Sequence, residues 1–338
     1  MHTVARLPAV DRAALFREAS VRLRFGSELL LEKDFWVSWT LLRLFARPRR
    51  PAMLFKGGTS LSKCFGLIER FSEDIDLTLD RVELGFGGEQ DPGRLGSRNK
   101  FQKAVERLDA AAQAHVREVL LPELRTDFAE HLQEAHTLEL DIEDPSTILF
   151  TYPRAGATDT QGVAYVRPVV RMELGARSDH HPTRVAEVRP YAADAFPDLF
   201  ESPSCRVVAL APERTLVEKA LIFHSACAKG RVMGRASRHA YDLLRMQRAG
   251  VTKAVTRELF ELVARHKLVF SDEKAASEAP RTGLQMVPQG DVRKALENDY
   301  QAMGEMFFRA PPPFEEILEG LREVEEALNA LVGRLPDR

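Results

Sequence analysis

The chain has 338 residues, which is enough for two domains or for one core with a helical addition. Hydrophobic residues make up 44% of it and charged residues 29%, an ordinary globular composition. Lys and Arg number 48 against 50 Asp and Glu, and the net charge of −2 excludes a global attraction to nucleic acid, so any polyanion must be held by a local patch.

Three features favour a cytoplasmic protein without a membrane span. The cysteines, Cys64, Cys205 and Cys227, lie far apart and form no CxxC, so neither a disulfide framework nor a zinc site is indicated, which favours a reducing compartment. The N-terminal segment MHTVARLPAVDRAALF lacks the basic-then-apolar run of a signal peptide. No apolar run approaches the ~20 residues that are needed to cross a bilayer.

The first third of the chain predicts helices around a short strand pair. Apolar residues recur near the helical period through residues 10–46, and the basic ARPRRP segment ends that run. AMLFKGG then predicts a strand that ends at glycines, and SLSKCFGLIERF predicts a helix. DIDLTLD alternates polar and apolar residues, as a strand with one wet face does.

The rest of the chain predicts a loop, a helix, a group of strands and then a helical region. Residues 85–97 are rich in glycine and predict a loop, and residues 100–134 are helical in pattern. Residues 212–330 are nearly all helical in pattern, with APPPFEE as a linker before a final amphipathic helix. The intervening strands are TLELDIED, TILFTYP, VAYVRPVVRMELG and RVAEVRPY.

These elements predict an α+β fold with three parts. An N-terminal helical segment, residues 1–50, packs on the core. The core, residues 51–210, combines a mixed sheet with helices. Residues 211–338 form a helical C-terminal domain.

Two short motifs point to a site for a metal-bound triphosphate. On a strand, Asp74 and Asp76 project from the same face, and two carboxylates held together repel each other unless a cation lies between them. Mg²⁺ binds carboxylate and phosphate oxygens together, which suits this pair. The preceding KGGTS turn, residues 56–60, lets the backbone approach phosphate closely. Alone, a D-x-D is more often a solvated strand edge and a GG more often a turn; the combination in this order favours the site.

The same motifs resemble a known family. GGTSLSK followed by LIERFSEDIDL is similar to the signature of the nucleotidyltransferase superfamily, in which a glycine–serine turn precedes a D-x-D strand. More closely, the chain resembles the AbiEii/AbiGii toxin family, known from phage abortive infection and toxin–antitoxin pairs. Further blocks that occur in that family's order are EKDFWVSWTLLRLF, MELGARSDHHP, PERTLVEKALIFHSACA and RASRHAYDLL.

The resemblance implies a polymerase-β-like fold and nucleotide transfer from an NTP to an acceptor. Characterised relatives act on RNA, notably on the 3′ end of tRNA. The resemblance matches Asp74 and Asp76 to the metal-binding carboxylates, with Mg²⁺ or Mn²⁺ as the ion, and Gly58 and Ser60 to the turn that holds phosphate. A toxin role further implies a cognate antitoxin protein as a partner.

Lys219 and Asp242 have weaker support from the residues alone. Lys219 lies among apolar helix residues and reads as a surface lysine whose stem packs on the protein. Asp242 follows Arg235, Arg238 and His239, which favours a structural salt bridge. The resemblance instead matches Lys219 to the family's essential lysine and Asp242 to its downstream essential aspartate, and we therefore predict catalytic roles for both.

Other candidates complete the predicted site. Glu173 lies on a predicted strand as a third metal carboxylate, or as half of a strand ion pair with Arg171. Lys33 and Asp34 of the EKDFW block are interpreted as holding the N-terminal helix on the core. The predicted nucleotide-binding residues are those of the glycine turn and nearby polar side chains: Lys56, Gly57, Gly58, Thr59, Ser60, Arg70, Ser72 and Arg238.

The sequence therefore predicts a Mg²⁺-dependent nucleotidyltransferase toxin that transfers a nucleotide to the 3′ end of tRNA or another RNA. Basic residues at 94–103 and 229–238 are candidate contacts for the acceptor's phosphates, with a solvated helix face as the alternative. Two rival functions remain: transfer of a nucleotide or phosphoryl group to a protein hydroxyl, and a non-catalytic module that binds nucleotide or a partner.

Overall fold

The structure is a computed structural model, and its described residues fall into two compact units. It describes residues 1–25, 27–46, 48–72, 74–155, 168–230, 234–271, 273–307 and 310–333. Unit 1 comprises residues 1–64, 71–87 and 106–209, and unit 2 comprises residues 65–70, 88–105 and 210–338. Residues 163–167, the start of the predicted VAYVRPVVRMELG strand, lie outside the described residues.

The helices and the strands of the described residues are each numbered in chain order. The helices are α1 (His2–Ala5), α2 (Ala9–Leu23), α3 (Glu28–Phe45), α4 (Gly57–Lys63), α5 (Arg98–His115), α6 (Leu121–His131), α7 (Ala192–Ala195), α8 (Pro212–Ala228), α9 (Ser237–Arg248), α10 (Arg257–Ser271), α11 (Lys274–Thr282), α12 (Gly290–Ala302) and α13 (Phe314–Val332). The strands are β1 (Met53–Lys56), β2 (Ile75–Leu79), β3 (Thr137–Leu140), β4 (Thr147–Thr151), β5 (Val169–Gly175), β6 (Thr183–Val188) and β7 (Cys205–Leu210). A π-helical turn, Val116–Leu120, joins α5 to α6.

Unit 1 is built on a seven-stranded mixed sheet in the order β3-β4-β5-β2-β1-β7-β6. The central strand β2 pairs antiparallel with β1 and parallel with β5. Alternating residues put Ile75 and Leu77 in the core while Asp76 between them stays partly exposed. The predicted mixed sheet with helices is confirmed.

The core of unit 1 is an aromatic cluster between α3 and the sheet. The ring of Trp39 lies 4.8 Å from that of Phe128, and the Phe128 ring lies 4.9 Å from that of Phe150. Trp36 stacks on Tyr152 with ring centroids 5.6 Å apart. These large side chains bury most of their surface, and such burial is the main stabilising term of a fold.

A buried ion pair joins α3 to α4. Lys63 Nζ lies 2.5 Å from Asp34 Oδ1, and the backbone N–H of Tyr191 donates to Asp34 Oδ2 at 2.7 Å. Both charged side chains are almost fully buried. Burial alone raises the pKa of the Asp34 carboxyl, while Lys63 opposes that rise. The pair thus fixes α4, the helix that starts with the glycine turn, on the N-terminal helix α3.

Unit 2 is helical, as predicted, and two of its helices pack very closely. A Cβ added at Gly320 of α13 would lie 2.5 Å from Leu244 Cδ1 on α9, so only glycine allows this separation. The carboxylate of Asp299 caps the start of α9, accepting a hydrogen bond from the Ser237 backbone N–H at 2.9 Å.

Three local elements differ from the sequence predictions. The predicted helix over 10–46 is interrupted because Arg24 adopts a left-handed conformation that ends α2. The helix predicted through Phe71 ends at Lys63, and residues 65–70 belong to unit 2 instead. Strand β7 was not predicted, although its residue Ala209 pairs with Phe55 of β1.

Candidate active site

The wet face of the sheet in unit 1 carries a row of three charged side chains. Lys56 and Asp76 are register partners on antiparallel strands β1 and β2. Asp76 and Glu173 are register partners on parallel strands β2 and β5. Residues in register on adjacent strands project from the same face, so a lysine and two carboxylates stand side by side. Glu173, predicted to lie near the aspartates, does so.

The glycine turn approaches the carboxylate of Asp76. Gly57 has a φ of +80°, a conformation that side chains other than glycine rarely adopt. A Cβ added there would lie 1.8 Å from Asp76 Oδ2, far inside contact distance. The backbone at Gly57 and the Asp76 carboxylate therefore occupy adjoining space, which requires glycine at this position.

The hydroxyl groups of the turn are bonded within unit 1. The Thr59 hydroxyl lies 2.5 Å from the carbonyl oxygen of Asp74 and 2.9 Å from Ser72 Oγ. Ser60 Oγ donates to the carbonyl of Gly57 at 2.9 Å. Thr59 and Ser60 are fully buried. These bonds shape the turn and hold the segment that leads into β2, while the nucleotide-binding roles of these residues stay predictions.

Negative charge accumulates around Glu173. Burial raises the pKa of its carboxyl, and the neighbouring carboxylates of Asp76 and Asp74 raise it further. Arg171 Nε lies 3.7 Å from Glu173 Oε1, but Arg171 Nη1 donates its shorter bond, 2.7 Å, to Asp141. Both readings of Glu173 from the sequence thus have a structural counterpart, the carboxylate cluster and the strand ion pair.

The donor set of this face suits a hard divalent cation. Asp74, Asp76 and Glu173 offer carboxylate oxygens only, the ligands that Mg²⁺ takes together with phosphate. Within the described residues, however, their oxygens do not form a three-ligand group within 4.8 Å; Asp127, Glu130 and His131 do. That other group is already engaged, because Arg43 binds Asp127 Oδ1 and Oδ2 at 2.5 and 2.8 Å.

Unit 2 contains a second charged cluster, centred on the fully buried Asp242. Arg70 donates to it from Nε and Nη2, each at 2.8 Å, and Lys219 Nζ lies 2.9 Å from Asp242 Oδ2. Lys219 is only 7% exposed, so it is not the surface lysine of the alternative interpretation. The structural alternative for Asp242 finds an ion pair, but with Arg70 and Lys219 as its partners. The predicted nucleotide-binding role of Arg70 is untested.

The side chains of this cluster hold the Lys219 ammonium in place. Burial alone would raise the pKa of Asp242, but Arg70 and Lys219 outweigh it and hold that pKa well below its usual range. Burial and the Lys219 ammonium lower the pKa of His239 to about 3, so the ring is neutral at pH 7. The ammonium of Lys219, 3.2 Å from His239 Nδ1, therefore donates to that nitrogen.

The predicted residues thus fall into two groups. Asp74, Asp76 and Glu173 belong to unit 1 with the turn and Ser72, and Lys219 and Asp242 belong to unit 2 with Arg70 and Arg238. Sequence reasoning missed the bond between Arg70 and Asp242, which lie 172 positions apart. It also missed His239 as a partner of Lys219, although Lys219 is itself a candidate and His239 precedes Asp242 on the same helix.

Comparison with known proteins decides the family. A family model described as the nucleotidyl transferase AbiEii toxin of type IV toxin–antitoxin systems matches residues 39–328, most of the chain. The chain belongs to the AbiEii family. It is accordingly a nucleotidyltransferase, the toxin of a type IV toxin–antitoxin system, with an NTP as substrate and a cognate antitoxin as partner. The sequence predictions of family and enzyme class are confirmed.

The chain was also compared with solved structures and with curated proteins. Among solved structures, MenT4, a nucleotidyltransferase toxin from Mycobacterium tuberculosis, is similar to this AbiEii toxin, with 18% identity, a TM-score of 0.41 and coverage of 95% of this chain and 98% of that chain. The family assignment depends on the family model and not on this likeness. No curated protein matches the AbiEii toxin. Across the described ranges, no helix combines the length and apolarity that crossing a bilayer requires.

Proposed function

We propose that this AbiEii toxin transfers a nucleotide from an NTP to a hydroxyl at the 3′ end of RNA, with tRNA as the principal acceptor. The observation that carries the proposal is the row of Lys56, Asp76 and Glu173, with Gly57 directly against the Asp76 carboxylate. A nucleotidyl transfer needs clustered carboxylates next to a backbone that can approach phosphate, and this face supplies both.

The cation in this proposal is Mg²⁺, with Mn²⁺ as a substitute. Asp74 and Asp76 would hold it, and Glu173 is a candidate third ligand because its carboxyl already lies in the field of the other two. When bound, such an ion neutralises charge on the phosphates and lowers the pKa of the attacking hydroxyl.

The protein's own residues position the reactants. We assign the triphosphate to the backbone of the glycine turn, with Ser72 of the same unit as a further predicted contact. In unit 2, Lys219 keeps the catalytic role that the family resemblance predicts, and Asp242 holds its ammonium. The acceptor oxygen forms a bond to the α-phosphorus, and the bond from that phosphorus to the bridging oxygen breaks. Its electron pair leaves with pyrophosphate, and the hydroxyl proton passes to solvent.

RNA as acceptor fits a local basic patch rather than the overall charge. The candidate contacts to RNA phosphates are residues 229–238 and the basic residues Arg94, Arg98, Lys100 and Lys103. Of these, residues 231–233 and the side chain of Arg98 lie outside the described part of the chain. Counterion release then makes RNA binding weaken steeply with salt. In the cell, the proposal places the toxin in the cytoplasm with its tRNA acceptor and gives it a role in abortive infection by phage.

The test is transfer of label by the purified protein. Each of the four NTPs, labelled at the α-phosphate, is incubated with Mg²⁺, total tRNA and total cell protein. The proposal expects label on tRNA with at least one NTP, and none with EDTA. Label on protein instead of RNA would establish the rival acceptor, and no transfer to either polymer would refute the proposed reaction.

A further inference from the structure

A polar cavity of about 480 Å³ opens beside the carboxylates of unit 1. We call it the trough. The charged side chains in its lining are Lys56, Asp76, Asp109, Asp144, Glu173 and Arg177, and Gln113 and Ser146 add uncharged polar groups. Neither Asp74 nor Gly57–Ser60 lines it, so Lys56 is the one residue that the trough shares with the predicted triphosphate contacts in the described part of the chain.

The trough and the glycine turn lie on opposite sides of Asp76 along β2. The lining continues from Asp76 to Thr78 on β2 and from Glu173 to Gly175 on β5, towards the carboxyl ends of both strands. Because β1 runs antiparallel to β2 with Lys56 opposite Asp76, the turn that follows Lys56 lies towards the start of β2. The two ends of the site are therefore distinct.

In-line displacement places the attacking oxygen and the leaving pyrophosphate on opposite sides of the α-phosphorus. The ribose of the NTP stays attached to that phosphorus through a third bond, which lies in the equatorial plane of the transition state. If the triphosphate lies at the turn, as in the proposed function on which this inference rests, the attacking hydroxyl enters from the trough. We propose that the trough binds the terminal nucleoside of the acceptor RNA and presents its hydroxyl at Asp76 and Glu173.

The charges of the trough favour a sugar and a base over phosphate. Before any cation binds, its lining has four carboxylates and two cationic side chains, so its formal charge is −2 and it repels a polyphosphate. One of the two cations is already paired, because Arg177 Nε and Nη2 donate to Asp109 at 2.9 and 2.5 Å. A neutral nucleoside avoids this repulsion, and a chain of phosphates does not.

The uncharged polar groups of the trough suit the edges of a base and a ribose. Gln113 lies one helical turn after Asp109 on α5, and its side-chain amide has no hydrogen-bond partner within the described ranges. Its amide offers two donors and an acceptor, the groups that read a base edge. Ser146, in the loop before β4, adds a hydroxyl that can bond a ribose. We assign base contact to Gln113 and sugar contact to Ser146.

The test compares Gln113→Leu and Ser146→Ala with Gln133→Leu, an exposed glutamine of unit 1 outside the trough. The probes are RNA hairpins that differ only in the terminal nucleoside, A, C, G, U or an abasic ribose. Loss of one or two hydrogen bonds predicts an about tenfold rise in the KM for RNA in both trough variants, with the KM for NTP within about twofold of wild type. Fluorescence anisotropy without NTP shows the same weakening of RNA binding, and Gln133→Leu changes neither value.

The abasic hairpin isolates the base contact. Wild type and Gln113→Leu bind it equally, because the base that Gln113 contacts is missing, whereas Ser146→Ala still binds it more weakly. A rise in the KM for NTP with the KM for RNA unchanged would overturn the trough assignment and leave the proposed function intact. Failure of the wild-type protein to label any hairpin or tRNA refutes the proposed function before any variant is compared.

Discussion

The Asp76 carboxylate fills the space beside Gly57, which makes Gly57→Ala the most informative substitution. A methyl group there would lie 1.8 Å from Asp76 Oδ2 and 2.6 Å from Asp76 Cγ, so the carboxylate must leave its place. The backbone φ of +80° adds a penalty of about 1–2 kcal/mol for any residue other than glycine. If Asp76 acts on charge that develops in the transition state, its displacement removes about 3–4 kcal/mol of stabilisation, equivalent to a 10²–10³-fold loss of rate.

Gly85→Ala is the matched control for this prediction. Gly85 lies in the same unit with a φ of +92°, and an added Cβ would meet nothing within 4 Å. The backbone penalty alone should therefore cost Gly85→Ala a few degrees in Tm by differential scanning fluorimetry, and Gly57→Ala should lose at least as much because of the added clash. Only Gly57→Ala should lose transfer of α-labelled nucleotide to tRNA. Equal activity of the two variants would refute the reasoning that the turn and Asp76 form one site.

Other predictions concern the buried charges. Asp242→Asn leaves two buried cations without their counter-charge and should lower the free energy of unfolding by about 3–5 kcal/mol in urea titrations. Lys219→Met should lower activity far more than stability. An Asp242→Asn variant as stable as wild type, or a Lys219→Met variant that loses stability and keeps activity, contradicts the assignment. Unfolded His239 binds a proton at higher pH than folded His239, so stability falls as pH drops from about 6.5 towards about 3. His239→Asn should reduce that fall by about 2 kcal/mol between pH 7 and pH 5; identical pH curves contradict the lowered pKa. Asp34→Ala strands the buried Lys63 and should destabilise by about 3 kcal/mol, most of which the added Lys63→Met restores; no recovery in the double variant means that their bond is not the cause.

The sheet and its wet face followed from local pattern. Ile75, Asp76 and Leu77 alternate with period two, and the strand places them as that period requires. The glycines of the turn predicted a close backbone approach, and the structure shows what Gly57 approaches. Family and enzyme class followed from several motifs in one order, which is more specific than any single motif. The catalytic roles of these residues stay predictions.

Contacts between distant segments could not be predicted. Arg70 and Asp242 lie 172 positions apart, and no local periodicity carries information about such a pair. The helix predicted through Phe71 ends early for two reasons. Gly66 has a positive φ, and Arg70 is held by distant residues, Asp242 through hydrogen bonds and Phe307 through a β-bridge. Tertiary contacts override the helical pattern of the LIERF segment.

The central claim is that the carboxylates at the start of β2 perform nucleotide transfer, and Asp76→Asn tests it most directly. The comparison is Asp80→Asn, which alters an aspartate just after the same strand, outside the carboxylate row. Transfer of α-labelled nucleotide to tRNA is measured for both across a Mg²⁺ titration, with Tm as a check of folding. The account predicts that Asp76→Asn, folded, loses transfer at every Mg²⁺ concentration while Asp80→Asn retains it. Wild-type transfer by Asp76→Asn would contradict the account.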